Sequence, residues 1–289
     1  MAGKLPNTGF IGAGTVATTL APALSSKGYP VIAVANRSRA SAESLACLIK
    51  GCRACRSDQG VADSAELVFI TTPDDAIAVV ADHVKWRPGQ YVVHCSGADS
   101  VASLETAKQA GAMVGVFHPL QTFAGSHKAA KNLPGTTFAI EAEEPLLGLL
   151  AAIAVALGGR YIQIDSRHKV VYHTAAVFAC NYLVTLVKLA ADLWQTSGIP
   201  REKAISALMP LLKGTLNNID AIGIPQCLSG PIARGDSGTI KKHLAALQQV
   251  APELVDTYRQ LGLQTIPIAR DKGKIDAERA AEIEALLNQ

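Results

Sequence analysis

Aromatic side chains are scarce in this sequence, at 5% of 289 residues, and charged residues make up only 18%. The formal charge of +3 is small for the length, and no basic run exceeds a few residues. A nucleic-acid partner calls for a basic patch or stripe, so this balance argues against one. The first residues, MAGKLPNTGFIGAG, carry a single lysine and an apolar part broken by glycines, which is not the pattern of a signal peptide. One apolar stretch, Val170 to Val187, has membrane-spanning length, but His173 and Asn181 interrupt it and no second one accompanies it. A buried core helix is the expectation there, and with it a cytoplasmic protein that does not engage a membrane. Cys47, Cys52 and Cys55 have the spacing of an iron–sulfur ligand set, but a fourth ligand at suitable spacing is missing. The six cysteines are therefore expected to be ordinary buried thiols, with no metal.

What the chain does have is aliphatic side chains: 49% of it is hydrophobic, led by Ala, Val, Leu and Ile. Short apolar runs at 8–13, 31–35, 67–72, 90–95 and 113–117 alternate with helix-like segments at 14–27, 39–50, 74–84 and 100–110. That alternation predicts βαβ units and a mostly parallel sheet, with further strands at 53–56, 136–141 and 160–164 and a helix near 144–157. Beyond Ser166 the periodicity is almost wholly helical, at 167–197, 201–220, 237–249, 252–262 and 277–288. The expected organisation is an α/β dinucleotide-binding domain over 1–165 and an all-α domain over 166–289.

Gly12-Ala13-Gly14-Thr15-Val16-Ala17 is a G-x-G-x-x-A turn entered from a strand and opening a helix. Gly12 allows the tight turn, Gly14 lets the backbone approach a pyrophosphate, and Ala17 permits close helix–strand packing. Thr15 and Val16 then lie in the first helical turn, whose N–H groups favour phosphate charge. An NAD site would show an acid after the second strand to bind the ribose 2′-hydroxyl. Here Asn36-Arg37-Ser38 stands in that place, and a guanidinium beside a hydroxyl suits a 2′-phosphate. NADP is the cofactor this pattern predicts.

Carboxyl ends of parallel strands flank the ligand crevice, which draws in Thr72-Pro73 and Ser96-Gly97 as further cofactor neighbours. Each also has a plain structural reading, as a helix start and a turn. His118, held extended before Pro119 at the end of what reads as the last strand, is placed at the wall of a substrate site. On the long helix, Lys169 and His173 are four apart and share a face, and Asn181 adds a polar group farther along. Burying such groups unpaired is costly, so they are expected to have partners or a function. The catalytic expectation is His173 as proton donor, Lys169 as electrostatic partner and Asn181 as an orienting hydrogen-bonder. Arg234, in the loop Ser229-Gly230-Pro231-Ile232-Ala233-Arg234-Gly235-Asp236, is the candidate for a substrate carboxylate, while Asp236 or Ser237 caps the next helix.

GFIGAGTVA, NRS and the TTPD loop resemble the N-terminal domain of the 6-phosphogluconate dehydrogenase-like superfamily. That group includes β-hydroxyacid dehydrogenases, pyrroline-5-carboxylate reductase, ketopantoate reductase and prephenate dehydrogenase. HCSGA, FHPLQTFAG, the Lys169–Asn181 helix and SGPIARGD are similar, more narrowly, to bacterial Rossmann-like NADP-dependent oxidoreductases with a C-terminal domain of unknown function. The resemblance covers essentially the whole chain. It implies a Rossmann domain followed by a helical domain that often builds a dimer. In the superfamily's hydroxyacid dehydrogenases a catalytic Lys is followed by Asn four residues later. Here Lys169 is followed by His173 instead, which argues against a plain 3-hydroxyacid dehydrogenase. The pairing is nearer in kind to the histidines of prephenate dehydrogenase.

The expectation is thus an NADP-dependent oxidoreductase, homodimeric through its C-terminal domain. Its active site is expected between the domains, acting on a small carbonyl, imine, hydroxy or amino compound. Two alternatives stay open on sequence: a nucleotide-binding sensor or partner-binding protein without turnover, and a deazaflavin-linked NADP reductase.

Overall fold

The computed structural model describes residues 4–123 and 132–289. Ala124 and Gly125, which end the FHPLQTFAG motif, lie outside the described residues. The chain forms two compact units, 1–180 and 181–289.

The first unit is built on one eight-stranded sheet in the order β3-β2-β1-β4-β5-β6-β7-β8. Its strands are β1 (Thr8–Ile11), β2 (Val31–Ala35), β3 (Arg53–Ala54), β4 (Leu67–Ile70), β5 (Tyr91–His94), β6 (Met113–Leu120), β7 (Thr137–Ala142) and β8 (Arg160–Gln163). β1 to β6 are parallel; β7 pairs antiparallel with β6, and β8 parallel with β7. Helices α1 (Thr15–Ser26), α2 (Arg39–Cys47), α3 (Asp58–Ser64), α4 (Asp74–His83), α5 (Glu105–Gln109) and α6 (Leu146–Ala156) connect them. Alternate strand residues feed two cores: Phe10, Val34, Phe69 and Val93 on one face, Ile11, Ala35, Ile70 and Val92 on the other. Burial on both faces is why these strands read as continuous apolar runs. The scarce aromatics are concentrated here: rings of Phe10, Phe69, Phe117 and Phe138 follow one another at centroid spacings of 5.1, 6.0 and 4.5 Å.

Several expectations need correction. α3 was not foreseen, because a seven-residue helix containing Gly60 carries little periodicity; Ser57 caps it by accepting the Gly60 N–H at 3.2 Å. β6 does not end at His118: its register continues through His118 and Pro119, opposite Ala139 and Phe138, and β7 and β8 extend the sheet beyond it. Proline is tolerated in this pairing where its missing N–H is not required. The helix expected over 167–197 is a 3-10 turn (Ser166–His168), α7 (Lys169–Ala179) and α8 (Asn181–Gln195), with Cys180 between. α7 belongs to the first unit, so the division falls after Cys180 and not near Asp165.

The second unit comprises α8, α9 (Arg201–Ile222), α10 (Ser237–Val250), α11 (Val255–Asp271) and α12 (Ala277–Leu287). α11 runs past the expected end because Gly262 is a packing site and not a stop. A Cβ there would lie 2.9 Å from Leu287 Cδ1. Ile240, Ile266, Ile283 and Leu287 form the core of this unit. The apolar stretch Val170–Val187 is not a buried core helix. Val170, Val171, Phe178 and Val184 are all exposed, and Ser166–Gln195 contains an 18-residue window of mean hydropathy 1.6, long and apolar enough to cross a membrane. Nor are the thiols uniformly buried: Cys95 is, while Cys47 and Cys180 are exposed.

Candidate active site

Strand register aligns the loops that matter. Ile11 is level with Ala35 and Ile70, Ile70 with His94, and His94 with Val116. The residues that follow each strand therefore share one edge of the sheet, the carboxyl edge on which open α/β folds bind ligands.

Gly12 has φ +106°, and a Cβ on it would sit 2.7 Å from the Thr71 carbonyl group and 2.9 Å from Thr72 N. Only glycine fits this approach. The Thr71 hydroxyl donates to the carbonyls of Ile11 and Gly12 at 3.2 and 3.1 Å, fixing the turn from the β4 side. From the β2 side, Asn36 Oδ1 accepts the Ala13 N–H at 3.2 Å while Asn36 Nδ2 donates to the Ser38 carbonyl at 3.2 Å. Asn36 thus braces the loop. Gly14 caps α1 with no side-chain acceptor, and the nearest atom to a Cβ there is 3.9 Å away. The exposed Thr15 and half-buried Val16 follow in the first turn. Open space above a helix start whose N–H groups lack a side-chain cap suits a phosphate.

A cleft of about 930 Å³ opens here, lined among others by Gly12, Gly14, Arg37, Ser38, Arg56 and Pro73. That volume lies in the range of cofactor sites. Arg37 and Arg56 are exposed. Ser38 caps α2, accepting the Ser41 N–H at 3.4 Å. Arg39 is engaged on its own helix with Glu43 at 2.7 Å. Thr72 also lines the cleft, and its buried hydroxyl oxygen has no hydrogen-bond partner. The loop geometry, the bare helix start and this unpartnered hydroxyl fit a dinucleotide with an anionic end near Arg37.

Farther along the edge lies a second cluster. His94 is fully buried; its Nε2–H donates to the Ser100 carbonyl at 3.0 Å and its Nδ1 accepts the Ser96 N–H at 3.1 Å. Burial above all pushes its pKa down to about 4. The Ser96 hydroxyl donates to Asp74 Oδ2 at 2.9 Å and accepts the N–H groups of Ala98 and Asp99. Ser96 and Gly97 were expected as cofactor neighbours, yet both are buried and the Ser96 side chain is occupied within its own turn. A Cβ on Gly97 would collide with His173 Nδ1 and lie 2.9 Å from His118 Nε2. Gly97 is therefore the contact point of two histidines brought from β6 and α7. Their rings meet edge to face at 5.9 Å.

His118 Nδ1 lies 2.8 Å from the Tyr172 hydroxyl. Burial first, then the charges of Lys169, His173 and His94, pushes the His118 pKa down to about 4. Burial raises Tyr172 to about 12. His173 Nδ1 is buried without a hydrogen-bond partner. Lys169, expected as the electrostatic partner of His173, is fully buried and donates to the Ser96 carbonyl at 3.1 Å. The turn after β5 brings that buried carbonyl within reach of the first residue of α7.

Asn181 and Arg234 belong to the second unit. Asn181 opens α8 and is exposed, and Arg234 is exposed at the end of a 3-10 turn (Ile232–Arg234). Asp236 caps α10 as expected, accepting the Thr239 N–H at 2.9 Å. Tyr172, Asp74 and Arg56 were missed. Applying the strand-end rule to the two-residue β3 would have found Arg56; nothing local marks Tyr172.

Residues 3–119 match the Rossmann-like domain model, and residues 136–265 match DUF2520, a domain of unknown function. No curated protein matches the sequence. Among solved structures, a candidate NADP oxidoreductase from Bacteroides fragilis is 28% identical, with a TM-score of 0.73, over 91% of this chain and 98% of that one. A Thermotoga maritima protein is 25% identical, with a TM-score of 0.70, over 98% of this chain and 100% of that one. The reductive aminase from Aspergillus terreus, in complex with NADPH and ethyl-5-oxohexanoate, shares the fold: 15% identity, a TM-score of 0.63, and 99% and 93% coverage. The chain thus carries a stretch that matches a Rossmann-like domain followed by one that matches DUF2520, and it shares its fold with a bacterial candidate NADP oxidoreductase.

Proposed function

We propose that this chain is an NADP-dependent oxidoreductase acting on a small carbonyl or imine compound, or on the corresponding alcohol or amine. The observation that carries the reading is one sheet edge holding both parts: a phosphate-accepting cleft ending in Arg37 and Ser38, and a histidine pair meeting across Gly97. The Bacteroides fragilis neighbour supports it. When bound, NADP supplies the hydride chemistry. The chain's own residues do the rest. Gly12, Gly14 and the start of α1 receive the pyrophosphate, with Thr15 and Val16 in that first turn. Arg37 and Ser38 take the 2′-phosphate, with Asn36 holding their loop in place. Thr72 and Pro73 border the cleft. A carbonyl gaining hydride needs a proton at its oxygen, and we assign that proton to His173. His118, neutral near pH 7 because its pKa lies about 4, acts as the wall and hydrogen-bond partner of the reacting group.

Calorimetric titration with NADPH and NADH tests the cofactor: NADPH binds more tightly, and equal affinities end the assignment. Once a substrate is found, His173→Ala lowers turnover by about 10²–10⁴ with NADPH affinity unchanged.

The same proposal includes a homodimer formed through the helices after Asp165. α7 exposes Val170, Val171 and Phe178, α8 exposes Val184 and Leu186, and α9 exposes Leu211 and Leu216. A bilayer suits α7 and α8 by hydropathy. It does not suit α9, which carries Arg201, Glu202, Lys203, Lys213 and Asp220. A second copy accommodates apolar and charged residues together, so it is the occupant we assign. Light scattering at micromolar concentration gives a dimer, and Leu211→Asp shifts it toward monomer. A monomeric wild type, or one that partitions into vesicles, removes the assignment.

A further inference from the structure

The turn after β5 is held from three directions. Asp74, at the start of α4, accepts the Ser96 hydroxyl; His94, within β5, accepts the Ser96 N–H; and Lys169, at the start of α7, donates to the Ser96 carbonyl. Gly97, the next residue, is the one against which His118 and His173 pack. The geometry points to Lys169 as a positioning residue, whose ammonium fixes the Ser96 carbonyl and so holds Gly97 against the two histidines. This rests on reading that histidine pair as the proton-handling site.

A buried ammonium is costly, and an apolar side chain would fill the space more cheaply unless the charge has a task. Its cost is offset from several sides. Burial lowers the Lys169 pKa, while the charges of Glu141, Asp99 and Asp74 oppose that shift. Glu141 is itself buried, with one carboxylate oxygen accepting the Ser166 hydroxyl at 2.7 Å and the other unpartnered. A charged donor also bonds a carbonyl more strongly than a neutral one. The bond joins residues 73 apart in sequence, so it ties the N-terminus of α7 to the turn after β5. α7 carries Tyr172 and His173, which makes the one bond set both partners of His118. The same charge acts at a distance. The groups facing His118 are Lys169, Tyr172 and His173 of α7 and His94 of β5, and the Lys169 charge disfavours an imidazolium there.

The test is histidine and backbone NMR on the full-length protein, wild type against Lys169→Met. The variant keeps most of the side-chain volume and removes the charge and the donor. The His118 titration midpoint is expected to rise from about 4 by about one pH unit, and the Gly97 amide resonance to move. Ser96→Ala breaks the turn from its other side, moving the Gly97 amide and leaving the His118 midpoint in place. A folded Lys169→Met with both readouts unchanged overturns the proposal. If that variant does not fold, reductive methylation of the wild type decides. Lys169 modified far more slowly than the exposed lysines supports a buried, bonded ammonium, and modification at their rate overturns it. None of these readouts uses nucleotide or substrate, so a negative result leaves the NADP reading to its own titration.

Discussion

Arg37 and Arg56 stand exposed at one end of the sheet's carboxyl edge, whereas His94 and Lys169, elsewhere on the same edge, have no solvent exposure at all. In the cleft the cations keep their water, cost little in folding, and act on whatever anion diffuses in through a field that salt can screen. In the histidine cluster the Lys169 charge is held by a named partner, and burial sets which form of His94 and His118 exists. His94 and His118 are pushed toward neutrality. One region is built to recognise, the other to fix protonation in advance.

Acid gives the largest test of that contrast. In the unfolded chain both histidines take up protons as the pH falls through about 6.5, but in the folded chain they do so only near 4. The unfolded state therefore binds more protons across this window, and stability falls as the pH is lowered through it. Full loss amounts to about 3 kcal/mol for each histidine by pH 4. Urea unfolding at a series of pH values shows the decline, and His94→Gln makes it shallower. Stability that stays level between pH 6.5 and 4 breaks the picture of a buried, neutral cluster.

The contrast also explains what could be read from the sequence. The cleft is local: Gly12, Gly14 and Ala17 lie within six residues, and Asn36-Arg37-Ser38 follows at the spacing one βαβ unit imposes. Such a motif survives without knowledge of the fold. The cluster is not local. Tyr172 meets His118 across 54 residues and Lys169 meets Ser96 across 73, so their partners exist only once the sheet order is known. The helical spacing of Lys169 and His173 marked them as unusual, but not that one ends buried under a carbonyl and the other against Gly97. Likewise, an alternation of strands and helices predicts the parallel sheet, whereas the antiparallel β7 depends on a pairing that composition does not encode.

Within the cleft, the next effect in size is Arg37→Ala. Removing a charge-assisted bond to the 2′-phosphate weakens NADPH binding by about 1.5–3 kcal/mol and barely touches NADH, which lacks that group. Calorimetry with both nucleotides measures it. An equal loss for both would mean that Arg37 serves the shared part of the cofactor, and the division between recognition and chemistry would need to be redrawn along the edge.

Arg56 sharpens the comparison with the smallest change. It lines the same cleft, but from the end of the short β3, and Asp58 lies beside it in the lining. Asp58 is held by His83 at 3.0 Å, so the lining of this cleft carries a carboxylate as well as the guanidinium, and the two charges oppose each other toward an incoming anion. Arg56 should therefore attract the phosphate without setting its place, and Arg56→Ala should weaken NADPH binding by about 0.3–1 kcal/mol, in the range of an exposed ion pair. Because this contribution is long-range, it should fade between about 0.05 and 0.5 M salt, as the screening length contracts. A direct bond at Arg37 should retain more of its effect over the same range. Titrating both variants with NADPH at the two salt concentrations separates the roles. If Arg56→Ala costs as much as Arg37→Ala and resists salt equally, the phosphate is clamped between the two strand ends, and the exposed region is as tightly organised as the buried one.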